Sequence, residues 1–313
     1  MSGPQRARLP DGRWFWQHGP IDLVIGADGD TAALAAADAA AWAQFQGLLA
    51  GLVSELPLLR QPVAAAPAAA PAANPLRGAV ARCMWAACAP LREAADCYLT
   101  PMAAVAGSVA QALIVHYQRP GIARAWVNNG GDIALHLAPG AQLRVGLFAD
   151  LASLDADLLA CTVTAPLRTD AAFTVHAADA IRGVATSGWR GRSHSRGIAD
   201  SVTVLAPTAA MADAAATVVA NRVDVDHPGI VRRPACSLRD DSDLGGLLVT
   251  VQVPPLPQAL VHAALQRGLA CARQLQQQGL LSAALLACQG SLLRLPAVES
   301  LGVIASAPRK GKR

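Results

Sequence analysis

The stretch that decides the fold is GVATSGWRGRSHSRGIADSVTVLA, from Gly183 to Ala206. It predicts a strand, a polar loop and a second strand, because small and β-branched apolar residues stand at both ends and glycine, serine and arginine between them. So many hydrogen-bond donors beside glycines suit a pyrophosphate. A solvated basic loop and an RNA-contacting loop are the alternatives. The polar and glycine residues of this loop include Ser187, Gly188, Arg190, Arg192, Ser193, His194, Ser195 and Arg196.

Around this stretch, short β-like runs alternate with turns from Ala123 to Leu205. The runs are ARAWV, DIALHL, LRVGLF, ACTVTA, FTVHA and SVTVLA. Runs of this length, separated by Gly, Asn and Ser, are typical of antiparallel strands joined by hairpins. Helical spacing of apolar residues flanks them at 76–97, 102–117 and 208–222. The sequence therefore predicts an α+β fold, with a mainly antiparallel sheet flanked by helices.

The segment WVNNGGDIAL, from Trp126 to Leu135, places paired glycines at the end of a strand. Because Gly130 and Gly131 lack Cβ atoms, a ligand can approach their backbone closely, and their amides suit phosphate or a ring carbonyl. Asn129 and Asp132 flank this pair as further candidates. The alternative is an ordinary hairpin turn, which an Asn-Gly pair strongly favours.

Two helical segments carry further candidates. In ADAAAT, Asp213 and Thr217 are four residues apart and share one helix face, and their oxygens suit Mg²⁺ that is bound together with phosphates. The alternative is an ordinary helix with an acid favoured by the dipole and a threonine bonded to an upstream carbonyl. In TPMAAVAGSVA, residues 100–110, Gly107 lies at a helix opening whose free amides favour anions, and tight helix packing is the alternative.

Taken in order, these segments resemble the ApbE-like superfamily of FAD-binding flavin transferases. The family pattern is a glycine-bearing helix opening, then N-x-G-G-D, A-T-S-G, H-H-I-I-D-P and A-D-A-x-x-T. This chain presents Gly107, 128–132, 185–188, 197–200 and 212–217 at those positions. The runs TPMAAVAG and GVATSGWRGRSHSRGIADSVTVLA are more closely similar to a shorter, uncharacterised cytoplasmic branch of that superfamily.

The resemblance implies an ApbE-like fold, FAD or FMN as ligand, and Mg²⁺ held by Asp213 and Thr217. It also implies transfer of FMN from FAD to a threonine of an acceptor protein. The cofactor site that it implies consists of Gly107, Asn129, Gly130, Gly131, Asp132, Thr186, Ser187, Gly188 and Asp200. Arg190 and Arg192, which lie outside the family pattern, are added as candidate donors to the pyrophosphate because of their charge.

Two departures from the family pattern favour flavin binding, with weak FAD hydrolysis, over efficient flavin transfer. Ala106 stands where the transferases carry a lysine, and Arg196 and Gly197 replace the histidine pair. His194 lies close by in a different register. It is therefore the candidate catalytic residue, because a histidine titrates in the range that suits a general base.

The chain before these motifs predicts an N-terminal hairpin and helix over residues 1–56. Residues 13–17 and 21–26 predict the two strands of the hairpin, and a long Ala-rich helix follows them. Residues 57–75 form an Ala/Pro tract that a helix cannot traverse, and we interpret it as an extended linker or a disordered loop.

The rest of the chain predicts one main α+β body over residues 76–300, so that residues 1–313 form a single ApbE-like unit. Within it, residues 247–253 predict a strand and residues 256–293 predict one or two helices. Residues 301–313 are basic and predict a loose tail.

Composition narrows the classes of function. The net charge is only +4, which is weak support for a nucleic-acid partner. The N-terminus has charge but no apolar segment of a signal peptide, and the longest uncharged stretch, from Tyr98 to Tyr117, is a poor membrane span. We therefore expect a cytoplasmic protein without a membrane partner. Seven cysteines without C-x-x-C spacing favour neither a disulfide framework nor a metal site.

Three functions remain open at this stage. The first is a flavin-nucleotide-binding protein with Mg-dependent cleavage of the FAD pyrophosphate or FMN transfer to an acceptor protein. The second is a non-catalytic cofactor-binding or carrier protein. The third is an RNA-binding module, which lacks the expected interleaving of aromatic and basic residues.

Overall fold

A computed structural model describes residues 3–64, 74–147, 171–191 and 193–295. The strands are β1 Gln5–Arg8, β2 Trp14–His18, β3 Ile21–Gly29, β4 Ile122–Asn129, β5 Asp132–Leu137, β6 Gln142–Leu147, β7 Ala171–His176, β8 Gly183–Ser187, β9 Ser201–Ala206, β10 Val231–Pro234, β11 Leu248–Gln252, β12 Ala283–Cys288 and β13 Ser291–Leu295.

The helices are α1 Thr31–Ser54, α2 Leu56–Leu59, α3 Ala79–Ala95, α4 Val105–Ile114, α5 Ala209–Arg222 and α6 Gln258–Gln277. Short 3₁₀ segments lie at Pro101–Ala104, Val115–Tyr117 and Ala235–Ser237. Across the described ranges, none of the helices is long and apolar enough to cross a membrane.

Nine strands form one sheet in the order β1-β2-β3-β4-β5-β8-β9-β12-β13, and every neighbouring pair is antiparallel. Two smaller antiparallel sheets pair β6 with β7 and β10 with β11. Helices accompany the large sheet, so the predicted α+β fold is confirmed.

The central strands are buried on both faces. Successive residues of a strand point to opposite faces, and Ala134 and Val204 belong to the main core, whereas their neighbours Leu135 and Leu205 belong to a second core. The main core lies under the helices, and the second contains Phe173 and other residues of β6 and β7. Every residue of β9 is buried as a consequence.

The N-terminal hairpin prediction is confirmed, since β2 and β3 pair around the turn at Gly19 and Pro20. The helix that follows, α1, buries Ala37, Ala41, Phe45, Leu48 and Leu52, which recur at the three- and four-residue spacing of one helix face. Trp16 packs edge-on against Trp42 of this helix, with 5.2 Å between ring centroids.

The chain after α6 differs from the prediction. Residues 256–293 were expected to be helical, but only α6 is, and β12 and β13 form a hairpin instead. Alanine and leucine in a short buried run do not distinguish a strand from a helix, and β12 gains hydrogen-bond partners on both sides, from β9 and β13.

The predicted linker begins inside the fold. Leu59 and Val63 are buried, and the Val63 amide donates to the Leu99 carbonyl at 2.9 Å. Residues 65–73 of that tract, residues 296–313 with the predicted tail, and the ACTVTA run at 160–165 lie outside the described residues.

Asp38 connects α1 to three other elements and carries the first prediction, and one of its bonds is an ion pair with the exposed Arg8 of β1 at 3.2 Å. Its carboxylate accepts hydrogen bonds from the Tyr117 hydroxyl at 2.7 Å and from the Trp14 indole at 2.6 Å. Burial and the neighbouring Asp38 raise the pKa of Tyr117, so its hydroxyl remains a donor. Asp38→Ala is expected to lower the free energy of unfolding by about 3 kcal/mol, because both donors lose their acceptor. Urea denaturation measures this change.

Asp11→Ala is the matched control, because Asp11 is exposed and pairs only locally, with Arg13. Removing an exposed ion pair should cost less than about 1 kcal/mol. Equal losses for the two variants would contradict the role given to Asp38.

Candidate functional site

The helix opening at Gly107 packs directly against α5. A Cβ atom on Gly107 would lie 2.3 Å from the Ala209 carbonyl oxygen and 2.9 Å from the Asp213 Cβ. Only glycine allows this approach, which brings the first turn of α4 against the first turns of α5.

Asp213 joins the two helices through its carboxylate. The Gly107 amide donates to Asp213 Oδ2 at 2.8 Å, and the Ala106 amide also bonds to this carboxylate. These amides have no partner within α4, and negative charge is favoured at a helix N-terminus. Asp213 therefore occupies the anion position that the sequence predicted for this helix opening.

The β4–β5 hairpin reaches the same place. The Asn129 side-chain amide donates to the Ala106 carbonyl at 3.1 Å, and the Thr186 backbone amide of β8 donates to Asp132 Oδ1 at 3.2 Å. Asn129 is buried, with 6% exposure, and Asp132 is half-buried. We call Asn129, Asp132, Asp213 and the Gly107 amide the Asp132–Asp213 cluster.

The two carboxylates of this cluster affect each other. Asp213 retains some exposure as a residue, but burial of its carboxyl group raises its pKa well above the usual value, and the negative charge of Asp132 raises it further. The bonds from the Gly107 and Ala106 amides act in the opposite direction. A cation between the carboxylates would relieve this repulsion.

Strand alternation divides the predicted residues of β8 between two faces. Ala185 faces the main core, so Ser187 shares its face with the Asp132–Asp213 cluster. Thr186 points to the other face, where its hydroxyl pairs with that of Thr203 at 2.8 Å. The Thr186 backbone, rather than its side chain, therefore contributes to the cluster.

The glycine pair forms the tight turn of the β4–β5 hairpin. Gly130 and Gly131 have φ values of 64° and 114°, which favour glycine. The Gly131 amide donates to Asn128 Oδ1 at 2.8 Å, while the space where its side chain would be is open. The register β5 shares with β8 brings this turn and Ser187 to the same end of the sheet.

The start of the loop after β8 packs against the end of the same loop, just before β9. A Cβ on Gly188 would lie 2.4 Å from the Asp200 carbonyl oxygen, and the Trp189 amide donates to the Ala199 carbonyl at 3.0 Å. Arg190 pairs with the Asp200 carboxylate at 3.6 Å and lies 5.0 Å from the Trp189 ring centre.

Asp200 also fixes the next hairpin, because its other carboxylate oxygen accepts from the Gln289 amide. It therefore connects the loop to the β12–β13 turn rather than to the cluster. Arg192 lies outside the described residues.

The second half of the loop docks on the far end of α5. Ser195 Oγ donates to the Asn221 side chain at 3.1 Å, and a Cβ on Gly197 would lie 2.1 Å from the Ala220 carbonyl oxygen. His194 precedes this anchor and is half-buried. Within the described part of the chain, no hydrogen bond or ion pair joins His194 to the Asp132–Asp213 cluster, and its catalytic role stays a prediction.

Thr217 lies one helical turn after Asp213 and is half-buried, as its spacing predicts. Among the described residues, no group of three or more His, Cys, Asp or Glu side chains could hold a metal ion. The available metal ligands are therefore the paired carboxylates and one hydroxyl.

The pairing of Asp132 with Asp213 was not predicted from the sequence. Residues 132 and 213 belong to different motifs, and neither motif contains a signal for the other. Strand alternation supplies part of that signal, because Asp132 lies on the same face of β5 as Ala134, which belongs to the main core.

Comparison with known proteins gives a family and a set of relatives. The family model described as "AbpE bacteria" matches residues 6–294. A UPF0280 protein of Methanoculleus marisnigri is 36% identical over 141 residues, which are 45% of this chain and 52% of that protein. One from Methanothermobacter thermautotrophicus is 41% identical over 122 residues, 39% of this chain and 41% of the relative.

A third relative, the UPF0280 protein of Methanothrix thermoacetophila, is 32% identical over 173 residues, 52% of this chain and 65% of the relative. The chain thus spans about half the length of the curated relatives it matches. The family match extends over nearly all of β1 to β13, and the chain belongs to the AbpE bacteria family.

Proposed function

We propose that this protein binds a flavin nucleotide, FAD or FMN, at the end of the sheet where the Asp132–Asp213 cluster lies, as expected for an ApbE-like protein. The observation that carries the proposal is the convergence of separate sequence motifs. The helix opening, the Asn-Gly-Gly-Asp hairpin, the end of β8 and the start of α5 are joined by hydrogen bonds of 2.8–3.2 Å. Polar motifs that converge in this way are typical of a ligand site.

The residues present fit a magnesium ion. Asp213 and Thr217, with Asp132 beside them, offer hard oxygen donors, and burial and the charge of Asp132 raise the pKa of Asp213, which a bound cation would offset. Mg²⁺ commonly takes one or two carboxylates and completes its shell with water and phosphate oxygens. Bound there, it would supply charge neutralisation to a pyrophosphate.

The loop supplies positive charge for the pyrophosphate of a flavin nucleotide and an aromatic side chain for one of its rings. Arg190 can direct guanidinium donors to a pyrophosphate, and Arg192 is proposed for the same role. Trp189 offers an aromatic face beside Arg190, and the open space at Gly131 gives access to the hairpin backbone. Gly188 lets the loop close on Asp200 and so holds these groups in place.

The proposed chemistry is slow hydrolysis of the FAD pyrophosphate rather than efficient FMN transfer to an acceptor protein. Ala106 carries no charge that could meet a phosphate, although its backbone holds both Asn129 and Asp213. His194 is proposed as the group that takes a proton from an attacking water, whose oxygen forms a new bond to phosphorus as the pyrophosphate bond breaks and FAD gives FMN and AMP. A non-catalytic carrier would need the same binding groups, and Ala106 favours it as the second candidate.

The first test is an FAD titration followed by flavin fluorescence. The parent protein is expected to bind FAD, and Arg190→Ala should weaken binding about tenfold or more, because a charge-assisted hydrogen bond is lost. Arg239→Ala is the control, since Arg239 is an exposed arginine on another loop. Equal affinities for the parent and Arg190→Ala would remove Arg190 from the site.

The second test separates an enzyme from a carrier. FAD is incubated with the protein in Mg²⁺ or in EDTA, and release of AMP is measured. Slow Mg-dependent release supports hydrolysis, whereas stable FAD binding without AMP supports a carrier. A protein that binds single-stranded RNA but neither FAD nor FMN would contradict both.

A further inference from the structure

A pocket lies at the opposite end of α5 from the Asp132–Asp213 cluster. Its volume is about 430 Å³, and its walls include Tyr98, Arg196, Arg222, Arg232 and Leu248. Arg222 is nine positions after Asp213, which is about 14 Å along a helix that rises roughly 1.5 Å per residue. No residue of the Asp132–Asp213 cluster lines this pocket.

Arginines reach the pocket from three different elements. Arg196 comes from the loop before β9, Arg222 from the last turn of α5 and Arg232 from β10. Arg222 donates to the Ala95 carbonyl, and Arg232 pairs with Asp224. A guanidinium has five N–H donors, so these contacts leave further donors for a ligand.

The surrounding charge is predominantly positive. Asp96 and Asp224 are the acids of the pocket wall, and Asp224 is already paired with Arg232. Burial raises the pKa of the Cys97 thiol in the wall, while the guanidinium groups of Arg222, Arg92 and Arg196 act in the opposite direction. The field at this wall therefore favours a negative charge.

The rest of the wall consists of Cys97, Tyr98, Val218, Asn221 and Leu248, and of these Asn221 has a polar side chain. Tyr98 donates its hydroxyl to the Asp243 carbonyl at 2.9 Å, which holds the ring in place. Leu248 also lines the pocket and is 52% exposed, so its side chain is accessible to a ligand. An anionic head with an apolar body matches this arrangement.

We propose that this pocket is a second ligand site, separate from the flavin site, and that it binds a small phosphorylated organic molecule. The planar guanidinium groups of Arg196 and Arg222 bind the phosphate, since arginine matches phosphate oxygens in bidentate geometry. Tyr98 and Leu248 receive the apolar part.

Arg196 allows a clean test because its backbone holds the loop independently of its side chain. Its amide donates to Asn221 Oδ1 at 2.8 Å, and its carbonyl accepts from the Thr250 hydroxyl at 3.2 Å. Arg196→Ala keeps both bonds and removes only the exposed guanidinium. Arg233→Ala is the matched control, because Arg233 follows Arg232 on β10, is exposed and does not line the pocket.

The experiment is calorimetric titration of the full chain with phenyl phosphate, at constant ionic strength and in EDTA. Phenol and benzoate serve as ligands that lack the phosphate. Phenyl phosphate is expected to bind, and Arg196→Ala should weaken its affinity about tenfold or more, while Arg233→Ala leaves it unchanged. Saturating FAD should leave phenyl phosphate binding unchanged.

Several results would overturn the proposal. Absence of phenyl phosphate binding to the parent would do so, as would equal affinities of Arg196→Ala and Arg233→Ala. Benzoate binding as tightly as phenyl phosphate would show that phosphate is not recognised. Displacement by FAD would make this pocket part of the flavin site rather than a second one.

Discussion

Gly107→Ala is expected to lower the free energy of unfolding by about 3 kcal/mol, the upper part of the range for overpacking a close contact. The new methyl group would lie 2.3 Å from the Ala209 carbonyl oxygen and 2.9 Å from the Asp213 Cβ, so α4 and α5 must separate. Their separation also stretches the bond from the Gly107 amide to Asp213. Chemical denaturation gives the stability, and the same samples should show weaker FAD binding.

The control is Gly47→Ala on α1. Gly47 is exposed, and no atom lies within 4 Å of the position that its Cβ would take. Alanine is the better helix former, so this variant should gain about 0.8–1 kcal/mol. A Gly107→Ala protein as stable as the parent would mean that the two helices are not in contact as described.

Asp213→Asn is expected to make the protein more stable at pH 7 in EDTA, by an amount on the order of 1–3 kcal/mol. Burial and Asp132 raise the pKa of Asp213, so the folded state binds its proton more tightly than the unfolded state. The Asp213 carboxyl group therefore contributes its full stabilisation at a pH below 3.8, its ordinary pKa. This contribution to the free energy of unfolding is lost as the pH rises from there to the pKa of the group in the folded protein. Asparagine resembles the protonated form and still accepts from the Gly107 amide.

The pH dependence distinguishes this explanation from a general effect of the substitution. The advantage of Asp213→Asn over the parent should be present at neutral pH and vanish below about pH 3.8. Asp226→Asn, at an exposed position, should change stability by less than about 0.5 kcal/mol at either pH. An Asp213→Asn protein that is less stable than the parent at pH 7 would mean that the charged carboxylate stabilises the fold.

Much of the sheet follows from local sequence. The runs DIALHL and SVTVLA predicted β5 and β9, and Asn-Gly-Gly-Asp predicted the turn between β4 and β5, because alternation and turn chemistry act over a few residues. The β12–β13 hairpin could not be predicted in this way, because it depends on pairing with distant strands rather than on local signals. Its Ala/Leu run has no period of its own and becomes a strand because β9 and β13 pair with it.

The residues of the candidate site could be singled out from the sequence, but their contacts could not. Gly107, Asn129, Asp132 and Asp213 were each candidates, yet their convergence depends on α4 packing against α5 and on the register of β5 with β8. Thr186 shows the limit of motif reasoning: it belongs to the motif, but its hydroxyl points to Thr203 on the other face. The arginine pocket carries no sequence signal, because its residues come from positions 96 to 248.

The measurement that tests the central proposal most directly is FAD affinity in saturating Mg²⁺ and in EDTA, for the parent and for Asp213→Asn. Phosphate oxygens and the Asp213 carboxylate would share the ion, so the parent should bind FAD about tenfold or more tightly in Mg²⁺ than in EDTA. Asp213→Asn should bind FAD equally in both buffers. A parent protein with the same affinity in Mg²⁺ and EDTA, or an Asp213→Asn variant that keeps the full magnesium effect, would contradict the assignment of this cluster as a magnesium–flavin nucleotide site.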